Sequence, residues 1–316
     1  MSTATRVPET RLMAGDELSA EDAWVTLRRI GVKSLIRDSF LRFRYADGFS
    51  HARALALQTC LSVIPLTIAF VGLSATLHRQ DVGQVVQETL ERITPGTSQQ
   101  VMQSALESSQ VRGQGGGIAL WAGLLVALVS MATAMGQIER GANRIYGVER
   151  DRPSVHKYTT AAGLALLAGA PMALGMVMVV AGGPIGDALS DVYHWPQGAH
   201  TAWDVAHWPI GILLALLSAS VIFQRSPRRR QPGVSWLAFG AGLALVLWAV
   251  FTSLLAWYVE GSSTFGSVYG PLSGFMALMV WANLTAIALF LGVALAAQLE
   301  ACRTTRRRPV KADPGA

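Results

Sequence analysis

The chain has 316 residues, of which 51% are hydrophobic and only 15% are charged. Soluble domains carry about 25% charged residues, so this composition indicates an integral membrane protein and excludes the fibrous and disordered classes. The net charge of +6 would suggest nucleic-acid binding in a soluble protein, but in a membrane protein its distribution along the chain matters more than its sum.

The first 45 residues precede every long apolar run and are rich in arginine. Residues 1–18 are predicted to be disordered. Between residues 19 and 45, aromatic and aliphatic side chains are interleaved with basic ones, which predicts an amphipathic helix on the inner leaflet, attracted to anionic lipid. Ser19 and Asp22 have the spacing of a capping box at the start of this helix.

Six apolar stretches are long enough to cross a bilayer as helices, which requires about 20 residues. They cover residues 54–77, 117–137, 158–182, 207–224, 234–259 and 268–299. Their length and uniform apolarity distinguish them from the buried helices of a soluble protein. The predicted fold class is therefore all-α: a polytopic membrane helical bundle of about six transmembrane helices, formed by residues 46–300 and followed by a basic cytoplasmic tail at 301–316.

The connection between the first two spans, residues 78–116, is too long for a plain loop. Its apolar residues between 81 and 110 fall near helical spacing on both sides of Pro95-Gly96. This pattern predicts an extracytoplasmic helical hairpin. Two interpretations of the hairpin stay open: a functional lid or partner-docking cap, and a simple cover for the bundle.

Lysine and arginine residues alternate between the two sides of the predicted membrane domain. Of the 26, 23 fall in the two terminal segments and in the connections at 138–157 and 225–233. The positive-inside rule assigns these segments to the cytoplasm. The sequence thus predicts a multi-pass protein of the bacterial plasma (inner) membrane, with both termini cytoplasmic.

The first predicted span contains a candidate hinge on a substrate path. Pro65 lies in its middle, where a proline removes a helix hydrogen bond and kinks the helix. Gln58, Thr59 and Ser62 lie one turn below Pro65, and together they could form a polar notch. A kink with a purely structural role is an equally good interpretation.

A second candidate region opens the last predicted span at Tyr269, Gly270 and Pro271. Gly270 belongs to a stripe of glycines at four-residue spacing, which permits close helix packing. A Gly-Pro pair at this place can also break a helix so that its backbone lines a substrate cavity. Asn283 lies further along the same span, where polar residues commonly bond across helices.

One group of residues has the chemistry of a metal site. Asp187, Asp191 and His194 are spaced at i, i+4 and i+7, so a helix would place them on one face. Carboxylate and imidazole groups bind divalent metals, but the segment lacks a complete metal-binding motif. The favoured interpretation is a polar outer connection, and the sequence predicts neither a bound metal nor another cofactor.

Three stretches together resemble the YihY/BrkB family of bacterial inner-membrane proteins, over about residues 35–300. The first, D-G-F-S-H-A-R-A-L-A-L-Q-T-C-L-S-V-I-P-L, begins at Asp47. The second, N-R-I-Y-G-V, contains Asn143 and Tyr146. The third runs from Tyr258 through F-G-S-V-Y-G to the span that contains Trp281.

The chain departs from the family pattern in its last span. The family often has Trp-x-Tyr followed by Gly-Ala-Glu, whereas here Asn283 and Ala294 stand at the Tyr and Glu positions. A role carried by that family carboxylate therefore does not transfer to Ala294.

The resemblance implies involvement in envelope lipid or lipopolysaccharide traffic and serum resistance, without a settled biochemical activity. A ribonuclease label has been attached to the family, but the sequence has no His-x-His-x-Asp-His cluster and no soluble catalytic domain, so we expect no enzyme. The leading hypothesis is a transporter or transport-like factor for an envelope lipid or small solute. The alternative is a non-enzymatic envelope scaffold. Expected partners are membrane lipids and either envelope proteins or further copies of the chain, and no nucleic acid.

Overall fold

The computed structural model describes residues 6–9, 18–76, 116–261, 273–304 and 308–309. All regular secondary structure in those ranges is helical, which confirms the predicted all-α class. The helices are α1 (Ala20–Ile30), α2 (Val32–Tyr45), α3 (Gly48–Thr76), α4 (Gly116–Tyr146), α5 (Ser154–Leu164), a π-helical turn (Ala165–Gly169), α6 (Ala170–Tyr193), α7 (Gln197–Arg225), α8 (Val234–Gly261) and α9 (Ser273–Ala301).

Four continuous helices among the described residues are long and apolar enough to cross a membrane. They cover Val155–Tyr193, Gln197–Arg225, Val234–Val259 and Ser273–Ala301. The helices α3 and α4 cover the first two predicted spans, apart from residue 77. This architecture confirms a membrane helical bundle. The predicted hairpin within 78–116 lies outside the described residues.

The N-terminal segment differs from the single helix predicted for residues 19–45. Gly31 separates α1 from α2 with a backbone φ of +83°, a conformation that glycine adopts without steric cost. The Gly31 N–H donates to the Leu27 carbonyl and closes α1. The predicted capping box is confirmed, because Ser19 and Asp22 each accept a hydrogen bond from the other's backbone N–H.

Helix α2 packs on α9 and presents two different faces. Its buried face carries Leu35, Arg42 and Phe43. Val32 and Ile36 are more than half exposed, on the side of the helix next to Phe43. The helix is amphipathic as predicted, but it buries an arginine and exposes an apolar stripe.

The chain forms two compact units. The first contains α1, α2, α3 to Cys60, α4 from Met131, α5, the π-helical turn, α7 from Leu216, and α8 and α9. The second contains the rest of α3 and α4, together with α6 and α7 to Ala215.

Glycines bring helix backbones together within each unit. In the first unit, a Cβ added to Gly240 of α8 would lie 2.5 Å from the Gly292 carbonyl oxygen of α9, and the reverse distance is the same. In the second unit, a Cβ on Gly175 of α6 would lie 2.8 Å from the Gly211 carbonyl of α7. Both pairs need glycine at the crossing point, as small-residue packing in membranes requires.

Candidate functional site

A buried ion pair joins the 226–233 loop to the end of α9. The Arg229 guanidinium donates to the Glu300 carboxylate at 2.6 Å, and the two side chains are only 3% and 1% exposed. The same guanidinium lies over the Tyr146 ring, 4.6 Å from its centroid. Because a buried charge is costly unless it is paired, these three side chains must adopt their positions together.

A second buried cation lies on α2. The Arg42 Nε donates to the Gln298 side-chain oxygen at 2.9 Å, and both residues are fully buried. Burial lowers the pKa of Arg42 to about 10, so the guanidinium is still charged at neutral pH. Arg42 and Gln298 are 256 positions apart in sequence, and their bond attaches the N-terminal segment to the last helix.

Asn143, near the end of α4, joins two loops. Its Nδ2 donates to Asp151 at 3.0 Å, and its Oδ1 accepts from the Arg228 backbone N–H at 2.7 Å. Burial alone would raise the pKa of Asp151, but the Asn143 hydrogen bond and the Lys157 ammonium outweigh it and hold this pKa below its usual value. Asn143 thereby fixes the loop after α4 against the loop after α7.

A third ion pair extends the same region. Arg152 contacts the Glu139 carboxylate at 3.1 Å, and Glu139 is 3% exposed. The Arg152 guanidinium also donates to the backbone carbonyls of Arg225, Ser226 and Pro227. One arginine therefore caps the carbonyl end of α7, where a cation also interacts favourably with the helix dipole.

The segment at residues 6–9 closes over this region. The Val7 N–H donates to the Tyr146 carbonyl at 3.1 Å, and the Val7 carbonyl accepts from Arg229 at 3.2 Å. Val7 is 3% exposed. The N-terminal segment is thus bound to the same arginine that pairs with Glu300.

We call Arg42, Asn143, Tyr146, Arg229, Gln298 and Glu300 the buried polar cluster. Its members come from α2, the end of α4, the 226–233 loop and the end of α9, all within the first unit. Ionisable groups buried in a membrane domain are expensive and mark functional positions. Chemically, the cluster can hold several helix ends together through charge and can release them if one charge is removed.

The family-motif residues have defined places. Asn143 and Tyr146 belong to the buried polar cluster. Asp47 has a φ of +55°, accepts a hydrogen bond from the Ser50 hydroxyl at 2.9 Å and forms the turn into α3. Trp281 donates to the Thr252 hydroxyl at 3.2 Å and joins α9 to α8. Asp47 and Trp281 therefore have local structural roles.

The predicted path residues are only partly described. Gln58 donates to Thr133 of α4 at 2.5 Å, and Ser62 is half-buried on α3. The Asn283 side-chain oxygen is buried and, in the described part of the chain, has no hydrogen-bond partner. Pro65 falls within α3, and nothing further of its side chain is described.

The predicted residues Tyr269, Gly270 and Pro271 lie outside the described residues. Their proposed part in a substrate path therefore stays a prediction.

The predicted trio Asp187, Asp191 and His194 is arranged differently from a metal site. His194 lies in a turn with a φ of +50°, and Asp187 contacts His200 at 3.0 Å instead. The other ring nitrogen of His200 contacts Asp204 at 3.1 Å. Within the described ranges, no group of three or more His, Cys, Asp or Glu is suited to a metal ion.

Sequence reasoning missed Arg229, Glu300 and Arg42 as cluster members. Each lies outside the predicted spans, where charges are ordinarily solvated. One signal was present: Gln298 lies within the alanine- and leucine-rich end of the last predicted span, and Glu300 follows that span directly. Polar residues in such a run need partners, and Arg229 and Arg42 are those partners.

Sequence comparison adds the relatives of this chain. It is 25% identical over 261 residues to the ribonuclease-like protein YfkH of Bacillus subtilis (strain 168), covering 82% of this chain and 92% of that protein. It is 26% identical over 271 residues to a UPF0761 membrane protein of Aromatoleum aromaticum, which covers 84% of this chain and 63% of that protein. A UPF0761 membrane protein of Chromohalobacter salexigens is 25% identical over 281 residues, which cover 87% of this chain and 64% of that protein.

The chain spans a little under two thirds of the length of these two UPF0761 proteins. No solved structure matches it. The profile of the family described as Virulence factor BrkB matches residues 39–315, a range that includes every member of the buried polar cluster. The chain therefore belongs to the BrkB family of membrane proteins.

Proposed function

We propose that this protein is a transporter or transport-like factor for an envelope lipid or small solute, and that the buried polar cluster is its cytoplasmic gate. The observation that carries the proposal is the Arg229–Glu300 pair, which is almost completely buried and is joined to Tyr146 and Val7. Replacing such a pair by apolar residues often leaves stability unchanged or raises it, so its presence favours a switching role over a purely stabilising one.

The position of the pair fits a gate. In the topology that the charge distribution predicts, the ends of α2, α4, α7 and α9 are all cytoplasmic. A contact between the last helix and the 226–233 loop would close this end of the first unit and would open when the loop moves away. The mechanism needs no covalent chemistry, and we propose no enzymatic activity.

The test is lipid movement across vesicles that contain the purified full-length chain. A fluorescent phosphatidylglycerol analogue in phosphatidylglycerol–phosphatidylethanolamine vesicles reports movement when external dithionite bleaches the accessible label. We expect Glu300→Gln and Arg229→Gln to change the rate in the same direction, because each breaks the same contact. The matched control is Arg230→Gln, which removes an equal charge from an exposed neighbour in the same loop.

Equal rates in protein-containing and protein-free vesicles, repeated with small osmolytes as probes, would argue against transport. The alternative is the envelope scaffold, which would recruit partners through residues 81–110. Deleting those residues should then abolish crosslinked complexes in cells and leave the membrane domain folded. Loss of complexes combined with absent transport would favour the scaffold.

A further inference from the structure

A cavity of about 390 Å³ lies between the N-terminal helices and the C-terminal end of the chain. Its lining residues are Arg29 and Ile30 of α1, Asp38 of α2, and Cys302 and Arg308 after α9. All five belong to the first unit. None is a member of the buried polar cluster, although Cys302 of the lining accepts a hydrogen bond from Gln298 of that cluster at 3.6 Å.

Two guanidinium groups line this cavity, those of Arg29 and Arg308. Among the described residues, neither Arg29 nor Arg308 makes an ion pair or a side-chain hydrogen bond, whereas nearby Arg28 lies over Trp24 and Arg303 contacts Asp22 at 3.3 Å. Like charges that share a cavity repel each other, and an anion between them converts this repulsion into attraction. The planar guanidinium is the side chain best suited to a phosphate, which it contacts with two parallel hydrogen bonds.

The third charged residue of the lining narrows the choice of anion. Asp38 is acidic, and a carboxylate accepts hydrogen bonds but donates none. A phosphate without a hydroxyl would be repelled by it, whereas hydrogen phosphate, or a phosphodiester with a hydroxyl-bearing headgroup, could offer it a donor. The lining therefore fits a phosphate group that comes with a hydrogen-bond donor, and a hydroxyl-bearing phosphodiester is one such group.

The surroundings of the cavity indicate that this phosphodiester belongs to a lipid. Val32, Ile36 and Phe40 follow each other at four-residue spacing on α2, and they are 56%, 55% and 43% exposed. This stripe lies on the same two-helix segment as Arg29, Ile30 and Asp38 of the lining. Apolar side chains beside basic ones are the pattern of a surface that enters the headgroup region of a membrane.

We propose that this cavity binds the headgroup of an anionic phospholipid, with Arg29 and Arg308 contacting the phosphate and Asp38 accepting a hydrogen bond from a headgroup hydroxyl. The exposed stripe of α2 then lies against the acyl chains of the surrounding membrane. This site would hold the α1–α2 segment and the C-terminal tail together on the membrane, and it does not depend on whether the protein transports anything.

The experiment is a thermal-stability titration of the detergent-purified full-length chain. The probes are short-chain phosphatidylglycerol, short-chain phosphatidylcholine and inorganic phosphate. A ligand that binds only the folded state raises the unfolding temperature by mass action. We expect phosphatidylglycerol to raise it most, and we expect Arg29→Gln and Arg308→Gln each to weaken the apparent affinity about tenfold, as loss of a charged hydrogen bond does.

The matched control is Arg37→Gln, which removes an exposed charge on α2 that does not line the cavity. It should keep the wild-type affinity. If the double variant Arg29→Gln/Arg308→Gln is poorly folded, Arg29→Lys/Arg308→Lys retains both charges and should still bind more weakly, because lysine lacks the planar fork.

Three results would overturn the proposal. Equal affinity for phosphatidylglycerol in the wild type and in both double variants would show that the cavity is not the site. Equal shifts with inorganic phosphate would replace the lipid by a soluble anion. Equal shifts with phosphatidylcholine, or no shift with any probe, would remove headgroup recognition altogether.

Discussion

At the scale of single residues, burial decides which charges matter. Arg229 and Glu300 face each other with almost no exposure, whereas Asp187 and Asp204 contact His200 with side chains that are 42% and 47% exposed. Solvent screens the contacts of His200, and exposed pairs of this kind contribute little to the free energy of unfolding. The buried pair is therefore the place where one substitution should have a large effect.

We predict that Arg229→Gln and Glu300→Gln each destabilise the protein by about 3–5 kcal/mol, since each leaves its partner charge buried without compensation. The double variant should cost less than the sum of the two single changes. Unfolding of the detergent-solubilised protein by a denaturing detergent measures all three values. Additive costs would mean that the two side chains do not interact.

The Asp151 carboxyl gives a prediction about pH. Its folded-state pKa lies below the usual value of about 3.9, so its contribution to stability is fully present above that pH and is lost as the pH falls through the folded-state pKa. The wild type should therefore be more stable than Asp151→Asn at neutral pH, and the difference should shrink below about pH 4. Melting temperatures of both proteins across this range provide the measurement. A difference that is independent of pH would show that the ionised carboxylate is not responsible.

Sequence reasoning located part of this site. Asn143 and Tyr146 were found through the family motif, and both are in the buried polar cluster. Arg42 and Gln298 were not identified as members of the cluster, because they are 256 positions apart in sequence. Hydropathy does not show which distant residues contact each other. Asn283 is in a span as predicted, but its path role is untested, and Tyr269 to Pro271 lie outside the described residues.

At the scale of elements, the crossing of α8 and α9 is a close contact between two helix backbones. Gly240 and Gly292 oppose each other at the crossing, and either Cβ would meet the partner's backbone. A flexible side chain could move aside, but a backbone carbonyl cannot do so without shifting the whole helix.

We predict that Gly292→Ala destabilises the protein by about 1–3 kcal/mol, the usual cost of overpacking. The control is Gly242→Ala on α8, where an added Cβ would meet nothing within 4 Å. That change should be neutral or stabilising by up to about 1 kcal/mol, because alanine favours the helix. Equal effects of the two substitutions on the unfolding free energy would contradict this account of the crossing.

The elements also show what hydropathy can and cannot predict. Apolar runs identified the long helices, since length and lack of charge are visible in the sequence. The break at Gly31 was signalled only by the glycine itself and was overlooked. The π-helical turn at Ala165–Gly169 could not be predicted from hydropathy, because its residues are as apolar as their neighbours. Composition does not show whether a helix has the α or the π hydrogen-bonding pattern.

At the scale of the whole molecule, composition alone was enough to predict a helical membrane protein, but not its activity. The basic residues of the buried polar cluster and of the cavity beside Arg29 all lie in segments that the charge distribution assigns to the cytoplasm. Both proposals therefore depend on the same topology, which can be tested directly.

We predict that a green fluorescent protein joined after Ala316 fluoresces in cells, because it folds in the cytoplasm. Alkaline phosphatase inserted after His194 should be active, because that connection carries no lysine or arginine and is predicted to lie outside. The reciprocal fusions serve as controls and should be inactive. The opposite pattern would reverse the orientation and move both proposed sites to the outer side.

The π-helical turn has a consequence for sequence alignments between this chain and its relatives. Because a π-helix bonds residue i to i+5, a single such turn accommodates one more residue than an α-helix of the same length. The extra residue shifts the phase of the helical repeat along this span by about one residue. Relatives whose third span is an uninterrupted α-helix should therefore align with this chain only after a one-residue gap between positions 165 and 169, and relatives without that gap should retain the turn.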